Sequence, residues 1–417
     1  MVQRINGWAR ALVPAAIAAL GVAGAANSAR AEDAGRSFEV YGFAQVDAIA
    51  DSARVDPAWQ DAFRPSKIGI DDQFGTNGQT SLSVKQSRFG VKGSLPTGDN
   101  GKPIDFKFEF DMFGTGADAG KTAVRLRHAY GEWGSLLAGQ TNSLFMDGDV
   151  YPNVYDYWGP TGMVFYRNVQ IRWTALRTAT DKFAIAIERP GNDVDPGNIR
   201  LIEQYQNATV RPDQKYPDFT LQYRHEDKWG HVQASGILRS VAYEVQATTG
   251  GPWSKGSETG WGINLGAGIK TVAKDQVLLQ VVYGEGIASY MNDGGMDLAP
   301  SAALTPCLPV GGVPCAPSLS AKAVPLTGVV AYYDHYWNSM WSSSIGYSFT
   351  QVDNTNFQAT TAYHKGDYAS VNLFAYPANN LSLGGELLWG KRTNNDGSSG
   401  DDVRFQFSIK YSFGTKL

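Results

Sequence analysis

The chain has 417 residues, 36 Lys+Arg against 40 Asp+Glu, 2 Cys and 12% aromatic residues. So much apolar and aromatic side chain excludes a disordered low-complexity protein, and two cysteines cannot staple a chain of this length. A net charge of −4 supplies no basic field for a phosphate backbone, so no nucleic-acid partner is expected.

At the N-terminus, Arg4 and Arg10 accompany an apolar stretch from Ala11 to Ala26, and Ala29-Arg30-Ala31 offers small residues before Glu32. Residues 1–31 therefore read as a secretory signal peptide. The stretch is broken by Pro14 and falls short of the ~18 continuous apolar residues of a spanning helix. Residues 32–417 are expected to form one exported domain.

That domain alternates. Ile104, Phe106, Phe108, Phe110 and Met112 oppose Asp105, Lys107, Glu109 and Asp111. Trp261, Ile263, Leu265, Ala267 and Ile269 oppose Gly262, Asn264, Gly266, Gly268 and Lys270, and Val403 to Phe413 opposes Arg404 to Ser412. In a strand, successive side chains point to opposite faces, so each segment has one apolar and one polar face. Segments of about 9–12 residues match a tilted strand crossing a bilayer. Open sheet edges are too costly in lipid, so the expected fold is all-β, a closed transmembrane antiparallel β-barrel.

In chain order the expected strands are 38–50, 80–95, 103–113, 123–132, 135–140, 167–176, 183–189, 217–226, 230–243, 260–271, 276–285, 326–336, 340–351, 367–376, 381–391 and 402–413. Sixteen strands leave an aqueous lumen, whereas about eight would leave an interior filled with side chains. Short turns such as 96–101, Asp227-Lys228 and 378–380 interleave with long segments at 51–79, 141–166, 189–216 and 286–325, the organisation of an outer-membrane barrel.

The segment 141–166, the third extracellular loop, carries Asp147, Asp149 and Asp156 with Tyr151, Tyr155, Tyr157 and Trp158. So many aromatics point to a loop folded into the barrel to narrow the pore. Lumen parity selects Arg88, Lys92, Lys107, Arg125, Arg127 and Arg172 on the wall, a cationic face expected across from the loop carboxylates. Such a wall favours anions, although pairing with Asp105, Glu109 and Asp111 is an alternative use of the same cations. His128 falls on the outward parity. Cys307 and Cys315 are expected to form a disulfide within their Pro- and Gly-rich loop, given an oxidising compartment. Gly116 to Thr122 resembles a phosphate-binding loop, but one residue is missing and the strand-to-helix context is absent. The scattered histidines lack metal-ligand spacing. No catalytic residue, cofactor or metal is expected, and the chain does not read as an enzyme.

The residues YGFAQVDAI at 41–49, SRFGVKGSL at 87–95, FKFEFDMFG at 106–114 and LRHAYGEWGSLLAGQTNSLFMD at 126–147 resemble the DcaP-like family of outer-membrane porins. The closing RFQFSIKYSF at 404–413 resembles a strand recognised by the barrel-assembly machinery, with Gly414 to Leu417 extending past its aromatic end. The resemblance implies a homotrimer of sixteen-stranded barrels in outer-membrane lipid, with passive diffusion of small solutes biased to organic anions such as dicarboxylates. By position it implies an eyelet of Arg88, Arg125, Arg127 and Arg172 facing Asp147 and Asp149. Only Glu32 to Ser37 precede the first strand, so the helical trimer stalk of some relatives is expected to be absent. Competing readings are a sugar channel using Tyr151, Tyr155 and Trp158, and, outside transport, an adhesin or hydrolase barrel.

Overall fold

The computed structural model describes residues 36–98, 101–114, 122–303 and 318–416. The expected signal peptide, most of the Gly116–Thr122 loop and the expected Cys307–Cys315 disulfide lie outside them. The first half holds β1 (Ser37–Asp51), β2 (Gln79–Ser83), β3 (Arg88–Leu95), β4 (Ile104–Gly114), β5 (Ala123–Trp133), β6 (Leu136–Asn142), β7 (Arg167–Arg177), β8 (Asp181–Glu188), β9 (Thr209–Pro212) and β10 (Asp218–Asp227). The second holds β11 (Gly230–Gln246), β12 (Trp253–Lys270), β13 (Gln276–Glu285), β14 (Leu298–Ala303), β15 (Ser318–Ala323), β16 (Pro325–Tyr336), β17 (Trp341–Val352), β18 (Tyr363–Ala378), β19 (Leu381–Asn394) and β20 (Ser399–Lys416).

β2 and β3 pair with the two ends of β1, and β9 and β10 with the two ends of β11, so each couple is one interrupted wall strand. β14 and β15 form a separate hairpin in the loop after β13. The rest is a single antiparallel ladder that β20 closes onto β1, from Glu39 opposite Lys416 to Asp51 opposite Arg404. The result is a closed sixteen-stranded barrel, and every expected strand has its counterpart in the wall.

The two faces sort as alternation requires. On β20, Arg404, Gln406 and Ser408 are fully buried, while Phe405, Ile409 and Tyr411 are 52%, 47% and 56% exposed. A soluble sheet would bury the apolar set. Here the exposed wall runs through Phe108, Ile171, Leu221, Ile263, Val281, Ile345 and Leu387, and lipid is the solvent it fits. Trp133, Trp229 and Trp337 are exposed at the short-turn end, where amphipathic rings suit the headgroup zone.

The long loops fill the barrel from the other end. Phe63 and Ile68 from the loop after β1, Phe145, Val150 and Met163 from the loop after β6, and Ile287 and Tyr290 from the loop after β13 form one buried cluster with wall residues Leu278, Val282, Val330 and Tyr368. Three loops, not one, fold inward.

Candidate functional site: the lumen constriction

The loop 143–166 lies along the inner wall from β10 round to β20 and then returns. Near its start, the Phe145 carbonyl accepts from Ser235 Oγ at 3.0 Å and Asn264 Nδ2 at 2.8 Å. Asn153 Nδ2 donates to Ser342 Oγ at 3.0 Å, and Asn372 Nδ2 donates to the Asn153 carbonyl at 2.8 Å. The Tyr155 amide donates to Glu386 at 2.7 Å, and its carbonyl accepts from Gln86 at 2.7 Å beside the β1–β20 seam. On the return, Gly162 lies so close to β16 and β17 that a Cβ would meet the Phe349 carbonyl at 2.2 Å. The loop thus packs mainly on the β11–β20 side and meets the wall from β3 to β7, where the expected cations stand, chiefly through Tyr157.

There, Arg125 forms a two-point bond to Asp111 at 3.0 and 2.7 Å. Arg127 reaches Glu109 at 2.7 Å and Asp111 at 2.8 Å. Arg88 and Lys107 lie 3.6 and 3.3 Å from Glu109. Two carboxylates therefore anchor four cations, and the cluster keeps an excess of positive charge. Lys92 pairs with Glu39 at 3.3 Å nearer the short-turn end. Arg172 bonds Gln170 at 3.0 Å and the Asn142 carbonyl at 2.7 Å, which ties it to the root of the loop.

Two cavities flank the loop. The outer one, about 640 Å³, is lined by Arg64, Lys67, Arg125, Arg167 and Arg392 among others. The inner one, about 320 Å³, is lined by Arg88, Arg127, Arg167, Lys410, Tyr151 and Val154 among others. Tyr157, Phe165 and Arg167 border both and so form the neck between them. The Tyr157 hydroxyl bonds Asp111 at 2.7 Å and accepts from Arg127 at 2.9 Å, and its ring stacks on Phe113 at 3.9 Å.

Two expectations are corrected. The loop carboxylates do not face the cationic wall. Asp147 is 1% exposed and bonds His231 at 2.9 Å, and Asp156 is 1% exposed, accepting from the Phe63 and Gly159 amides at 3.0 and 2.8 Å and the Tyr368 hydroxyl at 3.2 Å. Both are anchors, because a loop pressed against a wall must satisfy its own buried polar groups. Asp149 is exposed, but it pairs with Arg224 at 2.7 Å. Tyr155 is 7% exposed with its ring centre 4.1 Å from that of Phe374, and it borders the inner cavity. Finally, His128 faces inward, bonded to Thr141 at 3.0 Å. The cause is a bulge: Glu109 pairs with His128 and Phe110 with Leu126, leaving Arg127 as the extra residue. Arg127 and His128 therefore share the lumen side.

Sequence reasoning missed Arg64, Arg167, Arg392 and Lys410. Lys410 was legible, since it shares the polar parity of β20. Arg167 sits at a loop-to-strand junction and Arg64 in a long loop, where no periodicity operates. Arg64 is held by Asp293 at 2.9 Å between Trp59 and Trp158, at 4.2 and 4.4 Å from the ring centres. Burial pushes the Asp156 carboxyl above its ordinary value, against the nearby Arg404 charge, and pushes the Tyr151 hydroxyl well above its own.

A closed barrel with a lipid-facing apolar wall and a polar lumen narrowed by inward loops defines a porin of the bacterial outer membrane. The chain belongs to the DcaP outer membrane protein family, whose model matches residues 20–294. It is similar to the crystal structure of the outer membrane channel DcaP of Acinetobacter baumannii, at 22% identity and a TM-score of 0.73, over 91% of this chain and 98% of that one. It is also similar to OmpF of Salmonella typhi, at 12% identity and a TM-score of 0.52, over 90% and 97%. OmpT of Vibrio cholerae in its trimer form matches at 11% identity and a TM-score of 0.51, over 91% and 99%. No curated protein sequence matches the chain.

Proposed function

We propose that this porin is a passive channel biased to small organic anions, dicarboxylates among them, that assembles as a homotrimer once a signal peptide has been removed. The observation that carries the anion bias is the charge at the neck. Among the described residues, no carboxylate lies within 4.0 Å of Arg167 or Lys410, while Arg88, Lys107, Arg125 and Arg127 share only Glu109 and Asp111. Fixed guanidinium groups lower the cost for an anion to shed water and raise it for a cation. A solute with two carboxylates engages successive cations along the outer cavity, the neck and the inner cavity, exchanging one for the next without a deep trap. The trimer described for the Vibrio cholerae protein supports the assembly.

The test is reversal potential in a salt gradient across a planar bilayer, with titration of a small dicarboxylate. Anion preference, block by the dicarboxylate and three-step conductance are expected. Arg167→Glu combined with Lys410→Glu should invert the preference, since neither cation holds a carboxylate in place. Neutral or cation selectivity without block would instead assign a sugar channel that uses Tyr151 and Trp158 as stacking surfaces. Absence of channels would reopen the adhesin and hydrolase readings.

A further inference from the structure

The outward wall at β7 to β12 carries a recess of about 690 Å³, bordered by Trp173, Ile185, Phe219, Leu221, Leu238 and Trp261. Its floor is deep because Gly236 contributes no side chain among large neighbours. A Cβ there would meet nothing nearer than Leu221 at 3.6 Å. Toward the short-turn end of the same strands lies a polar cluster. Asp181 accepts from Thr180 Oγ1 at 2.6 Å and the Tyr223 hydroxyl at 2.7 Å, and it bonds His225 Nδ1 at 2.9 Å. The His225 ring stacks against Trp229 at 6.2 Å, and the exposed Lys228 occupies the adjoining turn. Among the described residues no partner is found for His225 Nε2. The same chemistry recurs at that end of the barrel, where Asp275 bonds the Tyr333 hydroxyl and His335 Nδ1, both at 2.7 Å.

We propose that this recess and cluster together bind one phospholipid of the periplasmic leaflet, an acyl chain lying in the recess and the phosphate meeting His225 and Lys228. Distance selects this occupant. Tyr223, Leu221 and Phe219 continue the His225 face up β10, and six residues at ~3.4 Å each give about 20 Å along the strand. At a strand tilt near 45° that is roughly 15 Å of depth, the half-thickness of a ~30 Å hydrocarbon core. A headgroup at His225 thus places its chain end at Phe219 without crossing the midplane. A lipid of the outer leaflet would bring its headgroup to the wrong end of the recess. The cluster is polar and half-exposed beside Trp229, as a headgroup site requires and a dry contact between two barrels does not.

The full protein, reconstituted in bilayers of phosphatidylethanolamine and phosphatidylglycerol and then extracted into mild detergent, is examined by native mass spectrometry. One phospholipid retained per chain is expected. Gly236→Phe fills the recess and should lower retention about tenfold, and His225→Ala should lower it several-fold. Heat-modifiable gel migration and single-channel conductance should stay as in the parent, which separates lost lipid from lost folding. Equal retention in all three proteins, or none in the parent, would overturn the proposal. So would a change of oligomeric state in Gly236→Phe, which would make this face a contact between copies.

Discussion

Asp51 and Arg404 pair at 2.6 and 3.0 Å, 6% and 0% exposed, where the loop after β1 meets the closing seam, and Arg404 also donates to the Gln60 carbonyl at 2.9 Å. Removing one member leaves a buried charge unpaired. Asp51→Ala should cost about 3–5 kcal/mol, read as a lower urea midpoint, and Asp51→Leu with Arg404→Met should recover much of that loss. Asp156 gives a pH dependence of defined sign. Burial raises its folded pKa above the ordinary 3.8, so the folded protein holds that proton more readily than the unfolded chain. Its contribution is most favourable at acid pH and declines as pH rises from 3.8 through the folded value, with a slope of at most about 1.4 kcal/mol per pH unit. Thermal midpoints between pH 4 and pH 7 should fall accordingly, and Asp156→Ala should remove that component of the slope. The sequence marked Asp156 as noteworthy but assigned it to the pore, because parity has no meaning in a loop and anchoring depends on which wall the loop reaches.

β5 shows how an element's faces are set by its partner. Alternation along 123–132 correctly turned Arg125 and Arg127 inward, yet it misdirected His128, since the bulge is a property of the β4–β5 ladder and not of β5 by itself. Deleting Arg127 should close the bulge while leaving Leu126 outward and His128 inward. The barrel should then fold, shown by a heat-modifiable band, with anion preference reduced in reversal-potential measurements. A deletion that abolished folding would mean that the bulge is needed for the curvature of the wall. The loop 143–166 is the other decisive element. Its aromatic content announced an inward path, but no pattern along the chain marked the segments after β1 and β13 as joining it, with Trp59 against Trp158 at 4.9 Å and the Phe165 amide donating to the Tyr290 carbonyl at 3.0 Å. Excision of 151–159 should raise single-channel conductance several-fold and weaken anion preference, because the neck loses Tyr157 while the wall cations remain.

For the whole molecule, closure is what makes the other features possible. Among the described residues each of the sixteen wall strands has two neighbours, and β1 and β20 pair from Glu39 opposite Lys416 to Asp51 opposite Arg404, so no wall strand is left as an open edge in lipid. Substitutions on the seam should act on the whole barrel. Placing proline at Ala48, opposite Phe407 on one side and Leu82 on the other, removes a ladder donor where β1 is paired on both sides and should abolish the heat-modifiable form altogether. The same substitution in the exposed turn at Asn380 should leave assembly intact. Full assembly of the Ala48→Pro barrel would show that the seam is not where closure is decided.

The strand count, the two faces of each strand and the export of the chain could be read from residue order, because a period of two and the length needed to cross a bilayer are local properties imposed by water on one side and lipid on the other. The cationic character of the β3–β7 wall followed from the same parity. Which charges remain available in the passage did not, since that depends on contacts between residues hundreds of positions apart, such as Arg404 with Asp51 and Arg64 with Asp293. Burial turned Asp147 and Asp156 into anchors, and a single ladder irregularity brought His128 into the lumen. Tertiary packing alone decided these, because the cost of an unpaired buried group is settled by neighbours that the chain meets only once the barrel has closed.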